Sequence, residues 1–94
     1  MKGDLRQHRA KSQNHKADPM FPFSGSMILT LQGSRELLVE NYQGILQFDQ
    51  HLLSLKSKRE QLLIYGEELS IHYYTKEELK VSGTIRRVEV VPGP

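Results

Sequence analysis

From Met27 onward, apolar and polar residues alternate in short bursts separated by polar or glycine-containing breaks. A period of two is the signature of a half-buried strand. The pattern predicts strands at "MILTL", "RELLVE", "ILQF", "LLSLK", "QLLIY", "LSIHYY", "LKVSG" and "TIRRVEVV". The third of these sets Leu46 and Phe48 inward. The sixth sets Leu69, Ile71 and Tyr73 inward and Ser70, His72 and Tyr74 outward. In the last strand the apolar phase moves from Ile85 to Val88 and Val90, and one extra residue at Arg86-Arg87, a β-bulge, restores it.

The breaks have their own chemistry. Gly44 in "NYQG" is suited to positive φ, and Gly66-Glu67-Glu68 reads as a tight turn. "TKEEL" contains the Thr-x-x-Glu capping pattern, but a few residues between strands sustain no more than one turn. Pro92 lacks the amide donor and is expected to end pairing. About eight short strands without intervening helices predict an all-β fold, a small antiparallel meander closed as a sandwich or partial barrel.

The N-terminal part differs. Residues 1–18 offer Leu5 as their one large aliphatic, which predicts a flexible tail. Pro19 and Pro22 then exclude regular helix, and Phe21 and Phe23 are expected to cover an open edge of the sheet. The expected organisation is a basic disordered tail at 1–18, a β-domain at 19–91 and a disordered end at 92–94.

Charge follows that division. The chain has a formal net charge of +2, but residues 1–18 hold five basic against two acidic side chains, and the remainder eight against nine. The cations of the tail suit anionic lipid or an acidic partner, at about 1 kcal/mol each near a membrane surface. The tail has no apolar face for insertion. With no cysteine, disulfides and thiolate zinc sites are excluded. No apolar run approaches a membrane span or a signal-peptide core, so a soluble intracellular protein is expected.

Little in the chain suggests catalysis. Asp49, His51 and Ser54 lie on one connection, whereas a hydrolytic triad converges from separate loops. His8, His15, His51 and His72 do not share metal-ligand spacing. Glu67-Glu68 and Glu77-Glu78 fall in turns, where adjacent carboxylates diverge. No catalytic, cofactor-binding or metal-binding residue is therefore assigned. A nucleic-acid reading would use Lys56, Lys58, Arg59, Arg86 and Arg87 with Tyr65, Tyr73 and Tyr74 as stacking platforms. The excess of acid outside the tail opposes it. The candidate interaction surface for a protein partner comprises Tyr42, His72, Tyr74, Arg86 and Arg87, with self-association as a further expectation.

An ordered series of short motifs carries a family likeness. Glu40-Asn41 with Gly44-Ile45 is followed by Leu62, Ile64, Gly66, Leu69 and Ile71, and then by Val81, Gly83, Ile85, Val88 and Val90. Over about residues 20–91 this series resembles the YabP/YqfC family of sporulation proteins, with the YqfC branch the closer likeness. Arg59-Glu60 stands where the family pattern has glycine, and the leader is more polar than expected. The resemblance implies a non-enzymatic protein of endospore envelope formation. It implies work in the mother cell of a Gram-positive spore-former, at the membrane around the forespore, with a membrane-embedded protein partner. It brings no active site to carry over.

Overall fold

A computed structural model describes residues 25–93, with six strands between Ile28 and Pro92 and no helix among them. Strands β1 (Ile28–Gln32), β2 (Glu36–Glu40), β3 (Gly44–Phe48) and β4 (Leu52–Lys56) are short, whereas β5 (Glu60–Tyr74) and β6 (Glu78–Pro92) run for 15 residues each. They form one open antiparallel sheet in the order β1-β2-β6-β5-β4-β3. The expected tail at 1–18, and Phe21 and Phe23, lie outside the described residues.

The eight expected segments are all extended, but they make six strands, not eight, in one open sheet. Gly66-Glu67-Glu68 does not reverse the chain. It bends β5 in place, with Glu68 taking φ 55°, and the ladder resumes from Glu67↔Thr84 to Ser70↔Ser82. "LKVSG" and "TIRRVEVV" likewise join as β6, and Pro92 lies inside the strand, paired with Glu60. Gly93 continues the contact by donating its N–H to the Arg59 carbonyl at 2.9 Å, so the end expected to be disordered is held at 92 and 93. The meander is broken once, because β2 lies beside β6 and not β3.

The extra residue at Arg86 is present: Ile85 pairs with Gly66 and Arg87 with Tyr65, which leaves Arg86 unmatched. Two further bulges shift side chains between faces. Leu46 is unmatched between Ile45↔Leu55 and Gln47↔Ser54, so Ile45 and Phe48, not Leu46 and Phe48, share the face of Leu55 and Leu53. His72 is unmatched between Ile71↔Val81 and Tyr73↔Lys80. Opposed residues share a face, so Tyr74 falls on the core side with Leu79, while Tyr73 faces outward with Lys80. This reverses the expected placement of the two tyrosines.

Leu37, Val39, Leu79 and Val81 from one end of the sheet join Leu53, Leu55, Leu62 and Ile64 from the other in one buried cluster. Each is 0–1% exposed. A single sheet face hides aliphatics this fully only beneath a second layer. The bends in β5 and β6 bring the two ends of the sheet into that one core. β2 therefore cannot lie beside β3, and the link carrying Asn41 leads from one end to the other. Asn41, not Gly44, takes the positive φ there (67°), as asparagine tolerates better than most residues.

At the bend the two long strands touch backbone to backbone. A Cβ on Gly66 would lie 2.1 Å from the Thr84 carbonyl oxygen, and one on Gly83 (φ 133°) would lie 2.6 Å from that of Glu68. Four amides there are satisfied by the hairpin turns. Gly66 and Leu69 donate to the carbonyls of His51 and Gln50, and Gly83 and Ile85 to those of Arg35 and Ser34, at 2.8–3.0 Å. Positive φ costs a residue with a side chain about 1–2 kcal/mol and overpacking about 1–3. Gly83→Ala is therefore expected to cost about 2–4 kcal/mol of the roughly 3–10 available to a domain this small. Gly44→Ala, whose Cβ meets nothing within 4 Å, should change stability by less than about 1 kcal/mol. Urea unfolding of both variants checks the contrast.

Candidate interaction surfaces

Asp49 and Ser54 are occupied with local structure, as is Thr75. Asp49 Oδ1 accepts the N–H groups of His51 (2.7 Å) and Leu52 (2.9 Å), closing the β3–β4 turn. Ser54 is 2% exposed and accepts a hydrogen bond from Gln61 Nε2 at 2.8 Å. Thr75 Oγ1 accepts from the amides of Glu77 (3.2 Å) and Glu78 (3.1 Å) in the β5–β6 turn. Among the described residues, no group of three or more His, Cys, Asp or Glu side chains could hold a metal ion.

The five residues of the predicted surface do not form one patch. Tyr42 leaves it altogether. It is 7% exposed, part of the core, and donates its hydroxyl to the Thr75 carbonyl. The phenol thus holds the β2–β3 connection against the β5–β6 turn. Sequence reading missed this because Tyr42 sits in a polar break, where alternation gives no orientation.

His72 and Tyr74 remain exposed near the end of β5, with Tyr74 64% accessible. The His72 ring meets Tyr73 edge-on at 5.9 Å, and the Tyr73 hydroxyl donates to Glu78 Oε2 at 3.0 Å. That bond, more than desolvation, raises the Tyr73 pKa.

Arg86 and Arg87 lie on β6 beyond the bend. Arg86 Nη2 is 3.3 Å from Glu67 Oε1, and Arg87 Nη2 is 3.7 Å from Glu89 Oε1. The Arg87 guanidinium also covers the Tyr65 ring, 4.2 Å from its centroid. These contacts weaken the nucleic-acid reading, because the cations face glutamates and one stacking platform is occupied.

A shallow depression on the outer face is lined by Thr30, Gln32, Glu36, Leu38, Tyr73 and Lys80. Its charged groups, Lys80 Nζ and Glu36 Oε1, lie 3.4 Å apart and neutralise each other.

The more extensive features are edges. β2 pairs with β6 only as far as Glu36↔Ser82, and β4 pairs with β5 only over Leu52↔Tyr65 to Lys56↔Gln61. Among the described residues, 86–92 of β6 and 70–74 of β5 consequently join β1 and β3 as open edges. Beside them Leu31, Leu46, Phe48, Tyr74 and Val90 are 44–64% exposed. Unpaired edges with adjacent apolar side chains are suited to strand addition.

Residues 24–93 match the YabP family. The chain belongs to the YabP family. Membership associates it with sporulation and covers essentially the whole described sheet. No curated protein and no solved structure matches the chain. Among the described residues, no helix is long and apolar enough to cross a membrane.

The buried hydroxyl gives this region a pH signature. Desolvation, with a smaller contribution from the Tyr74 phenolate, raises the Tyr42 pKa above 10.0. The folded state therefore binds the phenolic proton more tightly than the unfolded chain. Its contribution is complete below pH 10 and is lost as pH rises through the folded-state value. Tyr42→Phe should cost about 1 kcal/mol at neutral pH and flatten the fall in stability above pH 10. Denaturant midpoints between pH 7 and 11 read both effects; equal slopes for the two proteins would contradict the assignment.

Proposed function

We propose that this YabP-family protein is a non-enzymatic assembly module of sporulation, belonging to the YqfC-like branch. It acts in endospore envelope formation by binding protein partners along its open edges. The observation that carries this reading is the length of unpaired edge beside exposed apolar side chains on an otherwise compact sheet. Asp49 and Thr75 are engaged in turns, and Glu36 and Glu67 in ion pairs, which supports binding over catalysis.

The partner proposed is a membrane-embedded sporulation protein. The site of action is the mother-cell cytoplasm, peripheral to the membrane around the forespore. These assignments draw on the family likeness, and edge pairing supplies their physical means. An added strand gains main-chain hydrogen bonds, while Tyr74 and the exposed aliphatics contribute apolar contact.

Deleting the gene should reduce heat-resistant spores by at least about tenfold and leave vegetative growth unchanged. Affinity capture of the full chain from detergent-solubilised sporulating cells should recover a membrane protein absent from vegetative controls. Normal spore yield, or capture with no sporulation-specific membrane protein, would contradict the proposal.

A further inference from the structure

Among the open edges, the distal half of β6 differs in charge. The edges formed by β1, β3 and residues 70–74 of β5 contain no Lys, Arg, Asp or Glu, and the last two are interrupted by bulges at Leu46 and His72. On β6 the sequence "RRVEV" at 86–90 carries both signs about a central valine. We propose that this edge pairs with the same segment of a second copy of the chain, antiparallel about a twofold axis at Val88. The proposal deepens the assembly reading by naming an edge and its occupant.

Amide directions define the open groups. Ile85 donates away from β5 to the Ser34 carbonyl, whereas Gly93 donates toward β5 to the Arg59 carbonyl. Alternating back from Gly93 turns residues 91, 89 and 87 toward β5 and residues 88 and 90 toward the open side. The bulge at Arg86 absorbs the mismatch with Ile85. Pro92 falls on the open side, where its missing donor breaks no bond within the sheet. Val88 therefore presents both its N–H and its carbonyl to the same space.

Charge then selects the register. With Val88 opposite Val88, the two copies exchange a pair of main-chain bonds at the axis. Arg87 of each copy then faces Glu89 of the other. Arg87 and Glu89 already share the outer face and lie 3.7 Å apart within one copy, so association forms an alternating square of two arginines and two glutamates. Centring on Glu89 would oppose like charges, which is destabilising. Centring on Val90 would set Val88 against Pro92, which has no donor.

The β1–β2 turn bonds to Ile85 and fills the space beside it, so pairing is confined to residues 86–90. An interface this short belongs to the weak, reversible class.

Sedimentation equilibrium of the purified full chain tests the proposal directly. Wild type should show a concentration-dependent monomer–dimer equilibrium. Arg87→Glu and Glu89→Arg should each weaken it at least tenfold, because the symmetry duplicates every like-charge contact. An equimolar mixture should regain association, since each glutamate of one variant then faces an arginine of the other. Val88→Pro, verified as folded by circular dichroism, should be monomeric. A strictly monomeric wild type, unchanged association in the single variants, or a mixture that stays monomeric would each overturn the proposal. Spore yield and membrane-partner capture are separate readouts, so failure here is distinguishable from failure of the assembly reading.

Discussion

The structure depends on the place where β5 and β6 meet at their bends, with glycine against backbone on both strands. Gly66 lies against the Thr84 carbonyl, and Gly83 against Glu68 and Leu69. A methyl group at either site would force the strands apart. The bends also remove amides from the strand ladder, and a buried unpaired amide costs about 1–3 kcal/mol. The carbonyls of Ser34, Arg35, Gln50 and His51 accept those bonds. Both short hairpins are thereby fastened to the same point.

That fastening makes one core from a sheet that would otherwise expose an apolar face. It also explains the open edges. Once β5 and β6 bend, β2 can follow only the first part of β6 and β4 only the first part of β5. The remaining lengths have no neighbouring strand on that side among the described residues. Core formation and edge exposure are thus consequences of one geometric feature.

Much of this was legible in the alternation. The eight apolar segments are all extended, and the phase change after Ile85 located a real bulge at Arg86. The series that resembled the YabP family ran from Glu40-Asn41 and Gly44-Ile45 to Val90 and included Gly66, Leu69, Gly83 and Ile85, which build the bend. Their role was not legible. A glycine followed by two glutamates has the composition of a reversal, and only the opposed strand distinguishes a bend from a turn. The bulges at Leu46 and His72 were missed because neither leaves a clear break in the apolar phase. Tyr42 was misplaced because a connection has no period. Arg86 and Arg87 were identified as surface residues, but the pairing of Arg87 with Tyr65 and Glu89 needs the register between strands.

The bend, which fastens both hairpins, is expected to be the last part of the sheet to open and to hold both ends in one cooperative unit. Native-state hydrogen exchange, resolved by residue, tests it most directly. The amides of Gly66, Leu69, Gly83 and Ile85 should exchange only through global unfolding, with the same protection as Leu55 and Val81. Faster exchange at those four positions, with either end of the sheet staying protected alone, would contradict it.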